Sequence, residues 1–381
     1  MTVTTVPLSE VASIVSGFAF KSDLFNDAGD GLPIVRIRDV TAGTSRTFYS
    51  GTFREEFVVN DGDALVGMDG EFNLGIWRGG RSLLNQRVCR IEAADNRLSQ
   101  EYLVRFLPRA LKDIEARTPF VTVKHLSAKE LRAINLPLPP IPEQRRIAAI
   151  LDKADALRAK RREAIAKLDQ LLQSVFIDMF GEPATNLKGW AIGVISDLLE
   201  SVKYGTSEKA DLAGNVPILR MSNITYNGEV DLSDLKYLRA ESVDDKYLVK
   251  PGDLLFNRTN SKELVGKTAV YEGPVPMAYA GYLVRARPRQ AAGSTYISGF
   301  LNSAYGKATL RGMCKSIVGM ANINAREFAA ISIPLPPRSL QDNYASKVRS
   351  IKARRTALVH QQIALDGLFT SLQLRAFSGT L

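Results

Sequence analysis

The chain has 381 residues, 45% of them hydrophobic, and 50 Lys and Arg against 40 Asp and Glu give a formal charge of +10. That length suits two domains with connecting elements, and no stretch reaches the ~18 consecutive apolar residues of a membrane span. The positive charge favours a polyanionic partner, because neutralising phosphates releases counterions and supplies most sequence-independent affinity for nucleic acid. The opening Met1-Thr2-Val3-Thr4-Thr5-Val6 lacks the basic and apolar regions of a secretion signal, so the expected location is the cytoplasm. Cys89 and Cys314 have no metal or redox spacing and are expected as buried thiols rather than a disulfide.

In chain order, the first half opens on Leu8-Ser9-Glu10-Val11 and alternates short β-like runs with turns. Ile34-Val35-Arg36-Ile37-Arg38 is one such run, and the Gly62-Asp63 turn leads into Ala64-Leu65-Val66. A helical stretch follows from Gln100 to about Ile114. The polar side chains suited to a ligand collect just after the strands: Lys21, Arg36, Arg38, Asn73, Arg78, Arg81, Gln86 and Lys124. Arg, Lys, Asn and Gln are the types able to pair with guanine or adenine edges.

The half ends in Leu136-Pro137-Leu138-Pro139-Pro140, after which no Gly and no internal Pro occurs from Pro142 to about Phe180. Ile147, Leu151, Ala154, Arg158, Arg161, Ile165, Leu168, Leu172, Val175 and Met179 follow steps of four and three, the heptad pattern of a coiled coil. Arg158 in that seam is costly unless it snorkels to solvent or Leu157 takes its place locally. Pro142 suits the first helical position, and Glu143 complements the positive helix end.

The second half repeats this plan. Val216-Pro217-Ile218-Leu219-Arg220-Met221 matches Leu32-Pro33-Ile34-Val35-Arg36-Ile37, and Val249-Lys250-Pro251-Gly252-Asp253-Leu254-Leu255 matches Val59-Asn60-Asp61-Gly62-Asp63-Ala64-Leu65. Its candidate ligand-facing residues are Lys203, Tyr204, Thr206, Ser207, Lys209, Arg220, Asn257, Arg258, Asn260, Lys262 and Lys267. A helical stretch from Tyr296 to about Leu310 precedes a second box, Ile333-Pro334-Leu335-Pro336-Pro337, 197 positions after the first. At that offset His125 faces Asn322, which argues against a metal or general-base role for the histidine. The following helix has the seam Tyr344, Val348, Ile351, Arg355, Leu358, Gln362, Leu365, Phe369, Leu372 and Ala376, with Ser339 and Asp342 at capping-box spacing.

These matches predict an α+β fold of two similar globular domains separated by two long antiparallel coiled-coil helices with pseudo-twofold symmetry. The expected boundaries are 1–141, 142–181, 182–337 and 338–381. Some 35 helical residues make a rod of roughly 50 Å, enough to hold the domains about one to one and a half turns of duplex apart.

Catalytic patterns are missing. The two histidines, His125 and His360, form no zinc spacing with cysteine. Gly266-Lys267-Thr268 has Ser261 where a phosphate-binding loop needs glycine, and Gly62, Gly67, Gly70 and Gly75 do not make a dinucleotide fingerprint. Asp253 and Glu263 can be forced into a nuclease pattern only as scattered acids. The chain reads as a reader, not a catalyst.

Four segments together resemble the specificity subunit of type I restriction–modification systems. They are Leu136-Pro137-Leu138-Pro139-Pro140-Ile141-Pro142-Glu143-Gln144, the helix end Phe176-Ile177-Asp178-Met179-Phe180-Gly181, Val249 to Arg258, and Gly17-Phe18-Ala19-Phe20-Lys21. The resemblance covers nearly the whole chain and departs in the second box, where Leu340 replaces the usual Glu. It implies two target-recognition domains reading a bipartite site in double-stranded DNA, with the helix pair setting an unspecific spacer. It further implies two modification (methyltransferase) subunits and restriction (translocase-nuclease) subunits as partners. Adenine methylation and cleavage, with S-adenosylmethionine, ATP and Mg, then reside on those partners. Competing readings are the recognition subunit of a related methyltransferase-nuclease system, a non-catalytic coiled-coil scaffold, and a solitary nuclease or methyltransferase.

Overall fold

The computed structural model describes residues 4–118, 124–317 and 320–381. It divides into two compact units, Met1–Arg161 with Gln361–Leu381, and Arg162–His360. Phe120 to Val123, and Val318 with Gly319, which belong to the shared segment before each Pro-rich box, lie outside the described residues.

Unit one is built on a four-stranded antiparallel sheet in the order Ala12–Ser16, Val88–Ala93, Ala64–Gly67, Leu74–Ile76. Gly62, at φ 94°, makes the tight turn into Ala64–Gly67, and the Asp63 carboxylate closes it by accepting from Asn60 N–H at 2.8 Å. The helix Gln100–Arg117, capped by Ser99 Oγ, lays Tyr102, Leu103, Phe106, Leu107 and Leu111 onto this sheet. Their spacing is that of one apolar helix face. A second sheet runs Phe25–Asn26, Phe48–Tyr49, Leu32–Val35, Ser82–Leu84, Val58–Val59, with Leu32–Val35 parallel to Ser82–Leu84.

Unit two repeats the plan of the central sheet and varies the second one. Its four-stranded sheet is Leu199–Tyr204, Leu283–Pro288, Leu254–Asn257, Thr268–Val270. Its second sheet is Lys236–Leu238, Val216–Leu219, Met277–Tyr279, Leu248–Val249, and Val216–Leu219 is parallel to Met277–Tyr279. The helical layer is broken at Ser303 into Ala291–Asn302 and Ala304–Met313, whereas Gln100–Arg117 runs on through Pro108.

Each Pro-rich box pairs with the first strand of its own unit, Asn135–Pro137 with Thr5–Pro7 and Ser332–Leu335 with Ala191–Val194. The buried tyrosine hydroxyls of the helical layer donate to the boxes, Tyr102 to Pro137 O at 2.9 Å and Tyr296 to Pro334 O at 2.7 Å. Prolines leave carbonyls without matching N–H groups, and these bonds satisfy them.

The long helices span Ile141–Phe180 and Arg338–Phe377. The first begins one residue before Pro142 and the second two residues before the start that a Ser339 cap would set, so Ser339 sits inside the helix and Asp342 lies 3.8 Å from Arg338 instead of closing a capping box. In unit one, Ile147 and Leu151 share a core with Phe369, Leu372 and Ala376; in unit two, Phe176 and Met179 share one with Tyr344 and Val348. In both units, therefore, the helix segments run antiparallel. All twenty seam positions are buried or half-buried. Leu157 is 50% exposed and does not enter the seam, so that alternative is overturned.

Arg158 stays in the seam because Asp366 on the facing helix meets it, Nε to Oδ1 2.6 Å, and its guanidinium lies 4.3 Å from the Phe369 ring centre. Arg355, 197 positions on, meets Asp169 at 2.5 Å. A charge kept in a partly dry seam needs such a partner, and the duplication supplies it twice.

Gln144 is fully buried and performs a task the sequence pattern does not reveal. Its amide nitrogen donates to Arg97 O at 2.6 Å and Pro139 O at 2.8 Å, and its oxygen accepts from Ser99 N–H at 2.9 Å. It thus locks the Pro-rich box, the helix it starts and the cap of Gln100–Arg117 together. Gln341 repeats one arm, donating to Pro336 O at 3.0 Å. Cys89 is buried as expected, but Cys314 is only half-buried; both are free, and burial raises both thiol pKa values.

Gln144→Ala is expected to cost about 3 kcal/mol, because it strands several buried polar groups, and Gln341→Ala about 1 kcal/mol. Urea unfolding of the full chain, followed by a probe in each unit, checks the order.

Candidate nucleic-acid interface

In both units one glycine lets a loop pass hard against the sheet. A Cβ on Gly17 would stand 2.1 Å from Asn85 O, and one on Gly205 would stand 2.3 Å from Tyr279 O and Ala280 O. No side chain fits there. The next residue then bonds across, Phe18 N–H to Leu84 O at 2.9 Å and Thr206 N–H to Tyr279 O at 2.9 Å. The segments leading to Lys21 and Lys209 are placed alike as a result.

A second shared feature follows Gly67 and Asn257, where each central sheet releases a loop. The segment before each box returns alongside it, through Leu126 N–H to Met68 O at 2.7 Å and Ile323 N–H to Arg258 O at 2.9 Å. Asp69 pairs with His125 in unit one and Thr259 with Asn322 in unit two. His125 Nδ1 lies 2.6 Å from Asp69 Oδ1, and Arg87 Nε 3.2 Å from Asp69 Oδ2. Asp69 and Arg87 both fall in polar runs that follow the strands, but no spacing announces that they meet His125.

The candidates divide by what holds them. Lys21, Arg38, Arg78, Arg81 and Gln86 are exposed in unit one, as are Lys203, Tyr204, Ser207, Lys209 and Lys262 in unit two. Arg81 pairs with Glu55 and lies over Phe53, and Arg38 approaches Asp39 at 4.0 Å. Arg258 lies over the Tyr204 ring at 5.0 Å and donates to Gly281 O at 3.3 Å, a stacked pair that no sequence motif announces. Asn73 and Asn260 are half-buried at loop ends, and Asn260 Oδ1 accepts from Ser261 N–H at 2.9 Å.

Others hold the framework together. Arg36 donates to Thr47 Oγ1, and Arg220 meets Asp234 at 2.7 Å. Lys124 Nζ donates to Glu115 O at 2.6 Å, near the end of Gln100–Arg117. Lys267 Nζ donates to Met221 O at 2.9 Å, and burial lowers its pKa. Gly266-Lys267-Thr268 is therefore part of a strand entry.

Two candidates are withdrawn. Thr206 is buried, its hydroxyl accepting from Glu208 N–H at 3.1 Å. Asn257 is fully buried in the sheet, and neither polar atom of its side chain has a partner. Neither can present a group to an outside ligand in this conformation.

The acids considered for a nuclease pattern have other roles. Asp253 is 3% exposed, accepts from Arg287 at 2.8 and 2.9 Å, lies 4.0 Å from Arg285 and closes a turn at Lys250 N–H. A hydrogen bond from Ser261 holds the Glu263 carboxyl below its usual range. Among the described residues no group of three or more His, Cys, Asp or Glu is arranged for a metal, and no helix is long and apolar enough to cross a membrane.

The two like domains, each with a glycine-anchored polar rim and each joined to an antiparallel helix pair, define a duplicated α+β architecture. Comparison with known proteins shows what the chain resembles. The model of the type I restriction modification DNA specificity domain matches residues 2–167. The type I restriction enzyme EcoBI specificity subunit of Escherichia coli is 28% identical, over 99% of this chain and 85% of the relative. The EcoKI specificity subunit of Escherichia coli strain K12 is 23% identical, over 98% and 88%. The type I restriction–modification S subunit from M. genitalium has the same fold, with TM-score 0.59 at 14% identity, over 98% of this chain and 96% of that one. So does a chain from a structural study of type I complex assembly and conformational transition, with TM-score 0.61 at 18% identity, over 100% and 98%. The chain is thus similar, over nearly its whole length, to specificity subunits of type I restriction enzymes.

Asp253→Ala is expected to cost about 4 kcal/mol, since Arg285 and Arg287 lose their buried counter-charge; thermal unfolding reads it. Asn257→Leu, by contrast, should leave stability level or raise it by up to about 1 kcal/mol, because an unpaired buried amide gives way to an apolar isostere. It should also leave the preferred DNA site unchanged in a binding selection, and an altered half-site would return Asn257 to the interface.

Proposed function

We propose that this chain reads a bipartite site in double-stranded DNA, one half-site per unit, and directs adenine methylation and restriction by partner subunits. Two modification subunits and the restriction subunits supply the chemistry, with S-adenosylmethionine, ATP and Mg bound on them. This chain performs no catalysis, and the assembly works in the cytoplasm. The observation that carries the reading is the pair of matching frames. Gly17 and Gly205 anchor equivalent rims, and exposed polar side chains lie in both units, Lys, Arg and Gln in unit one and Lys, Ser and Tyr in unit two. Two alike readers with unlike rims suit two different half-sites, because base contacts specify while the frame only positions. The +10 charge supplies the sequence-independent part of the affinity.

The long helices set the spacer. Removing one matched heptad from each should shorten it by about 10 Å, or about three base pairs, and leave both half-sites as they were. Mapping methylated adenines in DNA exposed to the assembled complex measures both. Altered half-sites with an unaltered spacer would sink the ruler role. Methylation or cleavage by the purified chain alone, given magnesium, S-adenosylmethionine and ATP, would sink the division of labour.

A further inference from the structure

Unit two contains a basic cleft with no counterpart of this form among the described residues of unit one. The loop from Arg258 to Lys267 is ten residues long, against six from Met68 to Asn73. Gly266, at φ 82°, brings its end down onto the helix Ala304–Met313, where a Cβ would stand 2.7 Å from Leu310 Cδ1. That approach sets Lys267 on one wall of a narrow cleft, with Lys307 and Arg311, one helical turn apart, on the other. Tyr226 closes an end: its ring centre is 3.7 Å from Lys307 Nζ, and its carbonyl accepts from that nitrogen at 3.2 Å. In unit one the shorter loop meets its helix through an acid, Phe72 N–H donating to Glu115 at 3.2 Å.

The charges in the cleft are unbalanced. Among the described residues, no carboxylate lies within ion-pair distance of Lys267, Lys307 or Arg311. Glu263 lines the rim, but it is occupied by Ser261 and lies near Lys262. Burial and the neighbouring Arg311 lower the Lys307 pKa, as expected of a cation crowded by another and short of a counter-charge. An anion with several acceptor oxygens would relieve this, and a neutral or cationic ligand would not.

We propose that Lys267, Lys307 and Arg311, at the mouth of this cleft, hold one backbone phosphate of the DNA, fixing the duplex against unit two independently of base sequence. This rests on the DNA-reading function proposed above. The source of the phosphate is the duplex because the cleft borders the loop that carries Arg258, Asn260 and Lys262, the exposed or half-exposed polar rim of the same unit. Lys307 and Arg311 were not among the residues singled out from the sequence, since a helix surface bearing Lys and Arg four apart carries no motif.

The test uses the full chain, alone and with its modification subunits, on duplexes carrying the methylation-mapped site. Lys307→Gln with Arg311→Gln should weaken binding, lower the slope of log affinity against log salt by about 1 and leave the preferred sequence unchanged. A scan of the same duplex with single neutral methylphosphonates probes the phosphate without altering the protein. One position flanking one half-site should weaken wild-type binding by about 3- to 10-fold and have no added effect on the double variant. An unchanged salt slope, or no position coupled to the variant, overturns the proposal while leaving the bipartite reading intact. Competition by inorganic phosphate without any coupled DNA position makes the cleft a free-phosphate site and overturns it too. Failure of the complex to prefer any bipartite site removes the functional reading first, and this one with it.

Discussion

Each unit is completed by helix segments drawn from distant parts of the chain, and this closure is the constraint on which the rest depends. In unit one, Phe377 packs its ring 5.6 Å from Tyr102 and 5.2 Å from Phe106, and Ala376 is buried in the core that also holds Ile147 and Leu151. Unit two closes in the same way around Phe180, whose ring lies 4.8 Å from Tyr296 and 5.2 Å from Tyr344. Phe180 and Phe377 are the last residues of the two long helices, so each aromatic anchor fixes where its helix ends. A core finished by residues more than a hundred positions away cannot form early from local contacts alone. The seam pairs Arg158–Asp366 and Arg355–Asp169 add register to this closure: sliding either helix by one turn would strand a guanidinium against apolar neighbours.

The two units also attach to their helices with opposite polarity. In unit one the globular part offers the cation, Arg105, to Asp152 at 2.5 Å and Asp155 at 3.1 Å on the first long helix. In unit two the second long helix offers the cations, Lys352 to Glu272 at 3.2 Å and Arg355 to Glu229 at 3.1 Å. Each exposed pair contributes little, roughly 0 to 1 kcal/mol. Their arrangement matters more for discrimination, because placing either globular part on the other's helix segment would set like charges together. Two domains of the same sheet order need some such distinction, and apolar packing that is alike in both does not provide it.

Much of this was legible in the sequence, for identifiable reasons. The duplication could be seen because the framework depends on residues with few substitutes: the Pro-rich boxes, the Gly-Asp turns at Gly62 and Gly252, and the heptad seams. All are backbone or periodicity effects, which a sequence displays directly. What stayed hidden depends on three-dimensional pairing. Gln144 looks like a surface polar residue in a helix start until its three partners are known. Arg220 and Lys124 look like ligand contacts until Asp234 and Glu115 turn out to hold them. Asn257 sits in a polar-looking run, Asn257 to Lys262, but it ends a strand that is covered on both faces, so its side chain is buried. The acid–base trio at Asp69 brings together residues from three separate segments, so no spacing rule finds it.

These differences point to how such a reader changes what it reads. The glycine approaches at Gly17 and Gly205, the tyrosine bonds to the boxes and the seam ion pairs are the same in both units, and each fails if one member is altered. The rims have diverged between the units. Six residues stand where ten do, Asp69 and His125 stand where Thr259 and Asn322 do, and Glu115 meets its loop where Lys307 faces the other. A loop anchored at both ends by backbone bonds can lengthen or exchange side chains at small cost, since closure entropy grows slowly with length. Backbone anchoring therefore separates the two demands on the protein: the frame keeps each rim at a fixed place, while the residues on that rim vary without disturbing the core beneath.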